Sequence, residues 1–197
     1  MKQPQPASVF EAGCFYYCTL IQLYQVLCVT IRMMHYDPRW PQEFEQTKSG
    51  ILQSCQGDVI DVQHIGSTAI SGLIAQPIID AVAAVADDAP ISDAALAIQG
   101  LYFREVPTPA WAGASVWLAK PRHGEITHRL VLTRRDTALW RRVLAVRDAL
   151  REKPQRAIAF EETKVKLWKA GEGDADQYDR DKALFFIHLE EQLGITS

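Results

Sequence analysis

Residues 64–68 read His64-Ile65-Gly66-Ser67-Thr68, and residues 77–80 read Pro77-Ile78-Ile79-Asp80. Residues 59–64 alternate apolar and polar side chains, which predicts a strand that ends just before the Gly-Ser pair. Residues 78–85 are almost continuously apolar, as in a strand that is buried on both faces of a sheet. The sequence therefore predicts two strands of one sheet that are joined through a glycine turn.

Asp80 is the single charged residue within this second apolar stretch. A carboxylate in a buried strand is costly unless it is paired, hydrogen-bonded or bound to a metal ion. The Gly66-Ser67 turn offers unhindered backbone N–H groups and a hydroxyl, which suit a phosphate group. This combination predicts a site where a nucleotide phosphate and a divalent cation meet. The alternative is that Asp80 is the structural partner of a buried histidine or arginine.

Five blocks of the sequence resemble, in consistent order, the GrpB family of predicted nucleotidyltransferases. The blocks are residues 36–40, 64–73, 76–80, 127–131 and 140–148, and Tyr178 and Lys182 also fit the family pattern. The resemblance covers residues 34–194. A Gly-Ser pair alone carries little information, whereas five ordered blocks make the resemblance specific.

The resemblance implies an α/β (α+β) fold, in which a nucleotidyltransferase-like mixed β-sheet is flanked by helices and followed by a C-terminal helical segment. It implies a transferase that moves a nucleotidyl group from a nucleoside triphosphate to an unknown acceptor, with Mg²⁺ as the cofactor. The alternative is a non-catalytic module of the same fold that binds a nucleotide or a coenzyme A-like ligand.

The resemblance also assigns residues to the site. Asp80 and His128 are the predicted catalytic residues, and Asp80 is the predicted magnesium ligand. The predicted nucleotide-binding residues are His64, Gly66, Ser67, Thr68, Arg122 and Arg129. We expect the strands that carry His64, Asp80 and His128 to be neighbours, with these three side chains opening into one pocket. For either histidine the alternative is a structural role, and for Ser67 the alternative is a cap of the following turn.

One residue departs from the superfamily pattern. A second carboxylate is expected two residues after Asp80, where the side chain of a strand points the same way, but Val82 occupies that position. The later strand offers His128 instead of a third carboxylate. One carboxylate plus substrate phosphates makes a weak magnesium site. The departure therefore favours the binding module, whereas Gly66, Ser67 and Asp80 together favour a working phosphate site.

The length of 197 residues suits one core, and the net charge of −3 gives no general reason to expect nucleic acid as a partner. Residues 120–156 are an exception, because eleven basic and four acidic residues give this stretch a net charge of about +7. The stretch is either a solvated helix face or a patch for phosphates. RNA is the weaker partner prediction, because no RNA-binding motif accompanies the charge.

The N-terminal part differs from the rest, since residues 15–31 are uncharged and mostly apolar. At 17 residues this stretch is at the lower limit for crossing a bilayer. We predict an N-terminal extension, residues 1–33, before the domain at residues 34–197. The alternatives are a helix packed on the domain or on a partner, and a membrane anchor.

The four cysteines contain no C-x-x-C pair, and three of them lie before residue 34. This arrangement is neither a disulfide framework nor a zinc site, so a reducing compartment and a cytoplasmic location are expected.

The remaining patterns complete the predicted fold. Asp37 and Pro38 begin a helix whose apolar face includes Trp40, Phe44, Ile51, Leu52 and Cys55. Ser92 is the predicted cap of a helix that ends at Gly100. Further strands are predicted at residues 101–106, 115–119 and 126–133, and further helices at residues 137–151, 155–170 and 179–193.

Overall fold

A computed structural model describes residues 32–109, 112–170 and 175–195, and within these ranges five strands form one sheet. The strands are β1 (Val59–Ile65), β2 (Ile79–Val85), β3 (Arg104–Val106), β4 (Val116–Lys120) and β5 (His128–Arg134). Their order across the sheet is β1-β2-β5-β4-β3. The pair β2 and β5 is parallel and the other three pairs are antiparallel, so the predicted mixed sheet is confirmed.

Five α-helices occur in the described residues. They are α1 (Trp40–Cys55), α2 (Ile91–Gln99), α3 (Ala138–Glu152), α4 (Pro154–Ala170) and α5 (Ala175–Leu193). Thr137 caps α3, because its side chain accepts a hydrogen bond from the Trp140 N–H. Helices α1, α2 and α3 contact the sheet, and α4 and α5 follow it in the chain, which confirms the predicted α+β class.

Several predicted boundaries are wrong. Helix α1 begins at Trp40 with Arg39 at the N-cap position, not with Asp37 and Pro38, and α5 begins at Ala175, not at residue 179. Ser92 does not cap α2, because the helix begins one residue earlier with Pro90 at the N-cap position and the Ser92 hydroxyl donates to Asp93. The strand predicted from residue 101 begins at residue 104. The three preceding residues belong to the turn after α2, where the Leu101 N–H bonds to the Ile98 carbonyl.

The first face of the sheet packs against α1 and α2, and we call it the core face. Its buried residues include Val62, Ala81, Leu118, Leu130 and Leu132. The five residues predicted for the apolar side of α1 pack against this face. Leu52 is partly buried, and the four that are fully buried are Trp40, Phe44, Ile51 and Cys55. Burial of this apolar surface is the main stabilisation of the unit that spans residues 32–158.

The opposite face is contacted by α3 at strands β1 and β5, and we call it the α3 face. Val82 lies on this face with its register neighbours Gln63 and Val131, and 1% of its surface is exposed. Helix α3 contributes its own buried apolar residues, Trp140, Val146, Ala149 and Leu150. Position 82, where a second carboxylate was expected, is therefore part of the apolar packing.

The described residues from Ala159 onward form a second compact unit. Phe160 is buried there and contacts the rings of Phe185 and Phe186, with centroids 4.9 and 5.0 Å away. Lys164 is also buried, with Nζ 4.5 Å from the centroid of the Phe160 ring. Burial, together with the nearby charge of Lys182, lowers the pKa of Lys164 to about 7.

No helix within the described ranges is long and apolar enough to cross a membrane. The apolar stretch at residues 15–31 lies outside these ranges, so the predictions about the N-terminal extension remain predictions.

Burial of Val82 leads to a prediction about stability. Val82→Asp should lower the free energy of unfolding by about 3 kcal/mol or more, because it places a charge within the apolar packing. Val82→Thr is the control, since it keeps the shape of the side chain and adds a polar group without a charge. Denaturant titration measures both, and equal stability of the two variants at neutral pH would contradict the packing role.

Candidate functional site

The turn after β1 lies directly against the Asp80 carboxylate. Gly66 has φ +71° and ψ −172°, a backbone conformation found almost exclusively in glycine. A Cβ atom on Gly66 would lie 2.5 Å from Oδ2 of Asp80 and 3.0 Å from its Cβ. Glycine is therefore required here for both its conformation and its small size. Within the Gly-Ser turn, Gly66 is therefore in direct contact with Asp80.

Asp80 forms an ion pair with Arg129. The two residues are register neighbours on the parallel strands β2 and β5, so their side chains lie on the same face of the sheet. Nη1 of Arg129 lies 3.7 Å from Oδ1 of Asp80, and each side chain is 26% exposed. The carboxylate is thus partly accessible to solvent and lies between a glycine turn and a guanidinium group.

The two predicted histidines lie on the opposite face. His64 is the register neighbour of Ala81, and His128 is the register neighbour of Ile79, so both point to the core face. The expectation that both histidines and Asp80 open into one pocket is wrong. Neighbouring strands carry all three residues, as predicted, but the alternation of side chains places Asp80 on the α3 face.

His64 is enclosed by groups that stabilise its neutral form. Its ring is stacked on Phe44, with centroids 4.6 Å apart, and its Nε2 lies 3.0 Å from Oγ1 of Thr68. Burial, reinforced by the charges of Arg151 and Arg147, lowers the pKa of His64 to about 4. At neutral pH the ring is uncharged, and its surroundings match the structural alternative stated for it.

His128 is half-buried at the end of the sheet. Its Nδ1 lies 2.8 Å from Oγ1 of Thr127, and its ring meets Phe103 edge-on. Burial, together with the charge of Lys120, lowers the pKa of His128 to about 4. An uncharged imidazole can exchange protons or donate a hydrogen bond, but on this face it is separated from Asp80 by the sheet.

The other predicted phosphate contacts differ in accessibility. Gly66 is exposed and Ser67 is half-buried, so both can meet a ligand. Thr68 is 1% exposed, and its hydroxyl donates to the Ile78 carbonyl at 3.0 Å, so it stabilises the turn and has no surface for a ligand. Arg122 is exposed, and its Nη2 donates to the carbonyl of Gln99 at the end of α2.

The sequence did not predict the two arginines that fasten the turn to α3. Arg147 Nη1 donates to Oε1 of Gln63 at 2.9 Å and to the His64 carbonyl at 3.3 Å. Arg151 donates from Nε and Nη2 to the Ala69 carbonyl, at 3.1 and 2.9 Å. The two arginines are four residues apart and share one side of the helix. They hold the chain on both sides of Gly66 and Ser67.

Their only signal in the sequence is membership of the basic stretch at residues 120–156. Nothing in that stretch distinguishes these arginines from the exposed ones, because their partners are backbone carbonyls about 80 residues earlier in the chain.

The donor atoms present do not match a resident magnesium site. Within the described ranges, no group of three or more histidine, cysteine, aspartate or glutamate side chains could hold a metal ion. Asp80 also faces the positive charge of Arg129, which competes with a cation for the carboxylate. The pair therefore sets one negative charge against one positive charge.

Comparison with known proteins matches this chain to a family. The model of the family described as GrpB protein matches residues 30–192. The chain belongs to the GrpB family.

Individual members support the GrpB assignment. A UPF0157 protein of Streptomyces coelicolor is 30% identical over 173 residues, which cover 83% of this chain and 84% of the relative. A UPF0157 protein of Pseudomonas aeruginosa is 30% identical over 155 residues, which cover 77% of this chain and 63% of the relative. The crystal structure of the conserved protein GrpB from Enterococcus faecalis superposes with a TM-score of 0.71 at 26% identity, covering 82% of this chain and 96% of that protein.

Alanine substitutions at two glycines test the close contact between Gly66 and Asp80 in this GrpB protein. Gly66→Ala should destabilise the fold by about 2 kcal/mol or more, because it adds steric conflict with Asp80 to an unfavourable backbone conformation. Gly72→Ala is the matched control, since Gly72 has φ +84° with open space around its Cβ position. Thermal unfolding compares the two variants, and equal losses would show that the contact with Asp80 contributes nothing.

The pKa of His64 predicts how stability depends on pH. Between pH 6.5 and about 4, His64 binds a proton in the unfolded chain but not in the folded protein. The free energy of unfolding should therefore decrease as the pH falls through this window, and His64 should cause no loss of stability above pH 6.5. The loss attributable to His64 should be on the order of 3 kcal/mol. Denaturant titrations at several pH values should show a smaller decline for His64→Gln, and equal declines would contradict the assignment.

Proposed function

We propose that this GrpB protein binds a phosphorylated small molecule, foremost a nucleoside triphosphate, at the cluster formed by Gly66, Ser67, Asp80 and Arg129. The observation that carries the proposal is the position of the Asp80–Arg129 ion pair, which is partly exposed and lies against a glycine turn. A guanidinium group is the side chain best suited to phosphate oxygens, and a glycine lets the backbone approach them closely.

Each residue has a role in this proposal. Arg129 supplies the positive charge for a phosphate, and Asp80 orients the guanidinium group on its strand. Gly66 and Ser67 provide backbone and hydroxyl donors at the exposed turn. Arg147 and Arg151 hold that turn through the carbonyls of His64 and Ala69. Because the turn is already held in place, less conformational entropy of the protein would be lost when a ligand binds.

Nucleotidyl transfer is the second candidate function. It is favoured by the order and proximity of the Gly-Ser turn and Asp80, which is the arrangement that the family resemblance implies. In this reaction an acceptor attacks the α-phosphorus of a nucleoside triphosphate, and the bond to the bridging oxygen breaks to release pyrophosphate. Buried Val82, in place of a second carboxylate, makes binding without turnover the better-supported function.

Magnesium enters this proposal only as an ion that arrives with the nucleotide. Its single carboxylate ligand would be Asp80, and the phosphates would have to provide the remaining charge. A coenzyme A-like ligand would present phosphates of the same chemistry, and RNA is the weaker partner. We place the protein in the cytoplasm on the basis of its cysteine pattern.

The proposal predicts which charge matters for binding of ATP. In calorimetric titrations Arg129→Met should weaken binding by at least about tenfold, because it removes a charge-assisted hydrogen bond to phosphate. Arg39→Met is the control, since Arg39 is an exposed ion-paired arginine at the start of α1, on the other side of the sheet. Melting curves check that each variant is folded. Equal affinities of Arg129→Met and Arg39→Met would contradict the proposal.

Asp80→Asn separates the anion site from a metal site. If Arg129 holds the phosphate, Asp80→Asn should leave ATP binding unchanged or stronger, with or without Mg²⁺, because the asparagine oxygen can still accept a hydrogen bond from Arg129 while the competing negative charge is lost. If Asp80 holds magnesium, the same change should abolish the Mg²⁺-dependent part of the affinity. Release of pyrophosphate from nucleoside triphosphates, measured in the same preparations, tests transfer. Its absence in a protein that binds ATP would leave binding as the function.

A further inference from the structure

A second polar cluster lies at the end of the core face, where β4 finishes and β5 begins. Lys120 and His128 are register neighbours on these antiparallel strands, so their side chains lie side by side on one face of the sheet. Both residues are half-buried. The buried ring of Phe103 lies beside them, with its centroid 5.7 Å from Nζ of Lys120 and 6.4 Å from the centroid of the His128 ring. The sheet separates this cluster from the Asp80–Arg129 pair.

The ammonium group of Lys120 forms no ion pair with an acidic side chain in the described ranges, Glu125 of the adjoining loop included. Its charge acts on the neighbouring imidazole, because it adds to the effect of burial in lowering the pKa of His128. The cluster therefore carries a positive charge that, within the described part of the chain, no carboxylate pairs with.

Thr127 leaves one ring nitrogen of His128 for a ligand. The Thr127 hydroxyl lies 2.8 Å from Nδ1 of His128 and 3.3 Å from the Lys120 carbonyl, which already accepts the Thr127 N–H at 2.9 Å. We therefore assign the hydroxyl as the donor to Nδ1, which places the proton of the neutral ring on Nε2. Nε2 has no hydrogen-bond partner in the described ranges and is not among their buried polar atoms that lack one, so it reaches solvent.

The loop between β4 and β5 holds both residues in place. Its two ends are joined by the hydrogen bond from the Thr127 N–H to the Lys120 carbonyl. Within the loop, Arg122 donates through Nη2 to the carbonyl of Gln99 at the end of α2, at 2.6 Å. Because the two strand ends are already fixed, less conformational entropy would be lost when a ligand binds to Lys120 and His128.

We propose that Lys120 and His128 form a second anion site, on the opposite face of the sheet from the Asp80–Arg129 pair. The ligand is a small oxyanion, the phosphate or carboxylate group of a small molecule, which accepts hydrogen bonds from Nζ of Lys120 and Nε2 of His128. Register neighbours have Cβ atoms about 5 Å apart, a separation that the oxygens of one such group can bridge. The ammonium group supplies the stronger, charge-assisted bond, and the imidazole fixes the direction of approach. The inference is independent of the proposed function, because it uses none of the residues around Gly66.

Nitrogen NMR of the histidine rings tests this site in the full-length protein at neutral pH. The signals of His128, assigned by their loss in His128→Gln, should show the tautomer protonated at Nε2 and should shift saturably with inorganic phosphate or acetate. Lys120→Met should weaken this binding by at least about tenfold, because it removes the charge and keeps the apolar stem beside Phe103. The anion that binds more tightly identifies the ligand group as a phosphate or a carboxylate.

Lys48→Met is the matched control. Nζ of Lys48 lies 6.0 Å from the centroid of the Phe44 ring, and that ring is stacked on His64, so the core face combines these three residue types a second time. Nε2 of His64, however, is already engaged with Oγ1 of Thr68. Lys48→Met should therefore bind the anions as the wild type does, and the signals of His64 should not shift.

Several outcomes would overturn the second site. They are signals of His128 that shift with neither anion, signals that respond equally in the wild type and Lys120→Met, and a tautomer protonated at Nδ1. If melting curves show that Lys120→Met is unfolded, Lys120→Gln decides by the same criterion. Arg129→Met separates this inference from the proposed function, because it should lose affinity for ATP while His128 still responds to the anions. A response that disappears in Arg129→Met would also overturn the second site.

Discussion

The contact between the Gly66 backbone and the Asp80 carboxylate is the constraint on which the rest of the site depends. A Cβ atom at position 66 would lie 2.5 Å from a carboxylate oxygen, so a side chain there would displace either the turn or the start of β2. Because the turn can lie against β2, its carbonyls come within reach of Arg147 and Arg151 on α3. A glycine, a carboxylate and two helix arginines thus form one interdependent structure.

The two faces of the sheet place their polar residues in different surroundings. On the core face, His64 is stacked on Phe44 and is held neutral by burial. On the α3 face, Asp80 and Arg129 form a partly exposed ion pair. An imidazole within the core gives up its proton because burial penalises the charged form. His64 and the Asp80–Arg129 pair lie on neighbouring strands but therefore differ in charge and in exposure to solvent.

The Asp80–Arg129 pair sets one negative charge against one positive charge beside the Gly66 turn. Asp80 is the acidic group that the family resemblance assigns to a metal ion, but a guanidinium group lies 3.7 Å from it. An ion pair of this kind contributes little to stability when it is partly solvated. Val82, two residues after Asp80, lies in a buried apolar environment that leaves no place for a second carboxylate.

The sequence by itself determined the local elements and the unusual residues. Strands β1 and β2, helix α1 and the residues Gly66 and Asp80 could be predicted because hydrophobic periodicity and glycine conformations act over a few neighbouring positions. Only the tertiary structure decided which polar residues face each other. A shift of one residue in strand register moves every side chain to the other face, and the register between β2 and β5 joins positions almost 50 residues apart. That register pairs Asp80 with Arg129 and turns His128 to the core face.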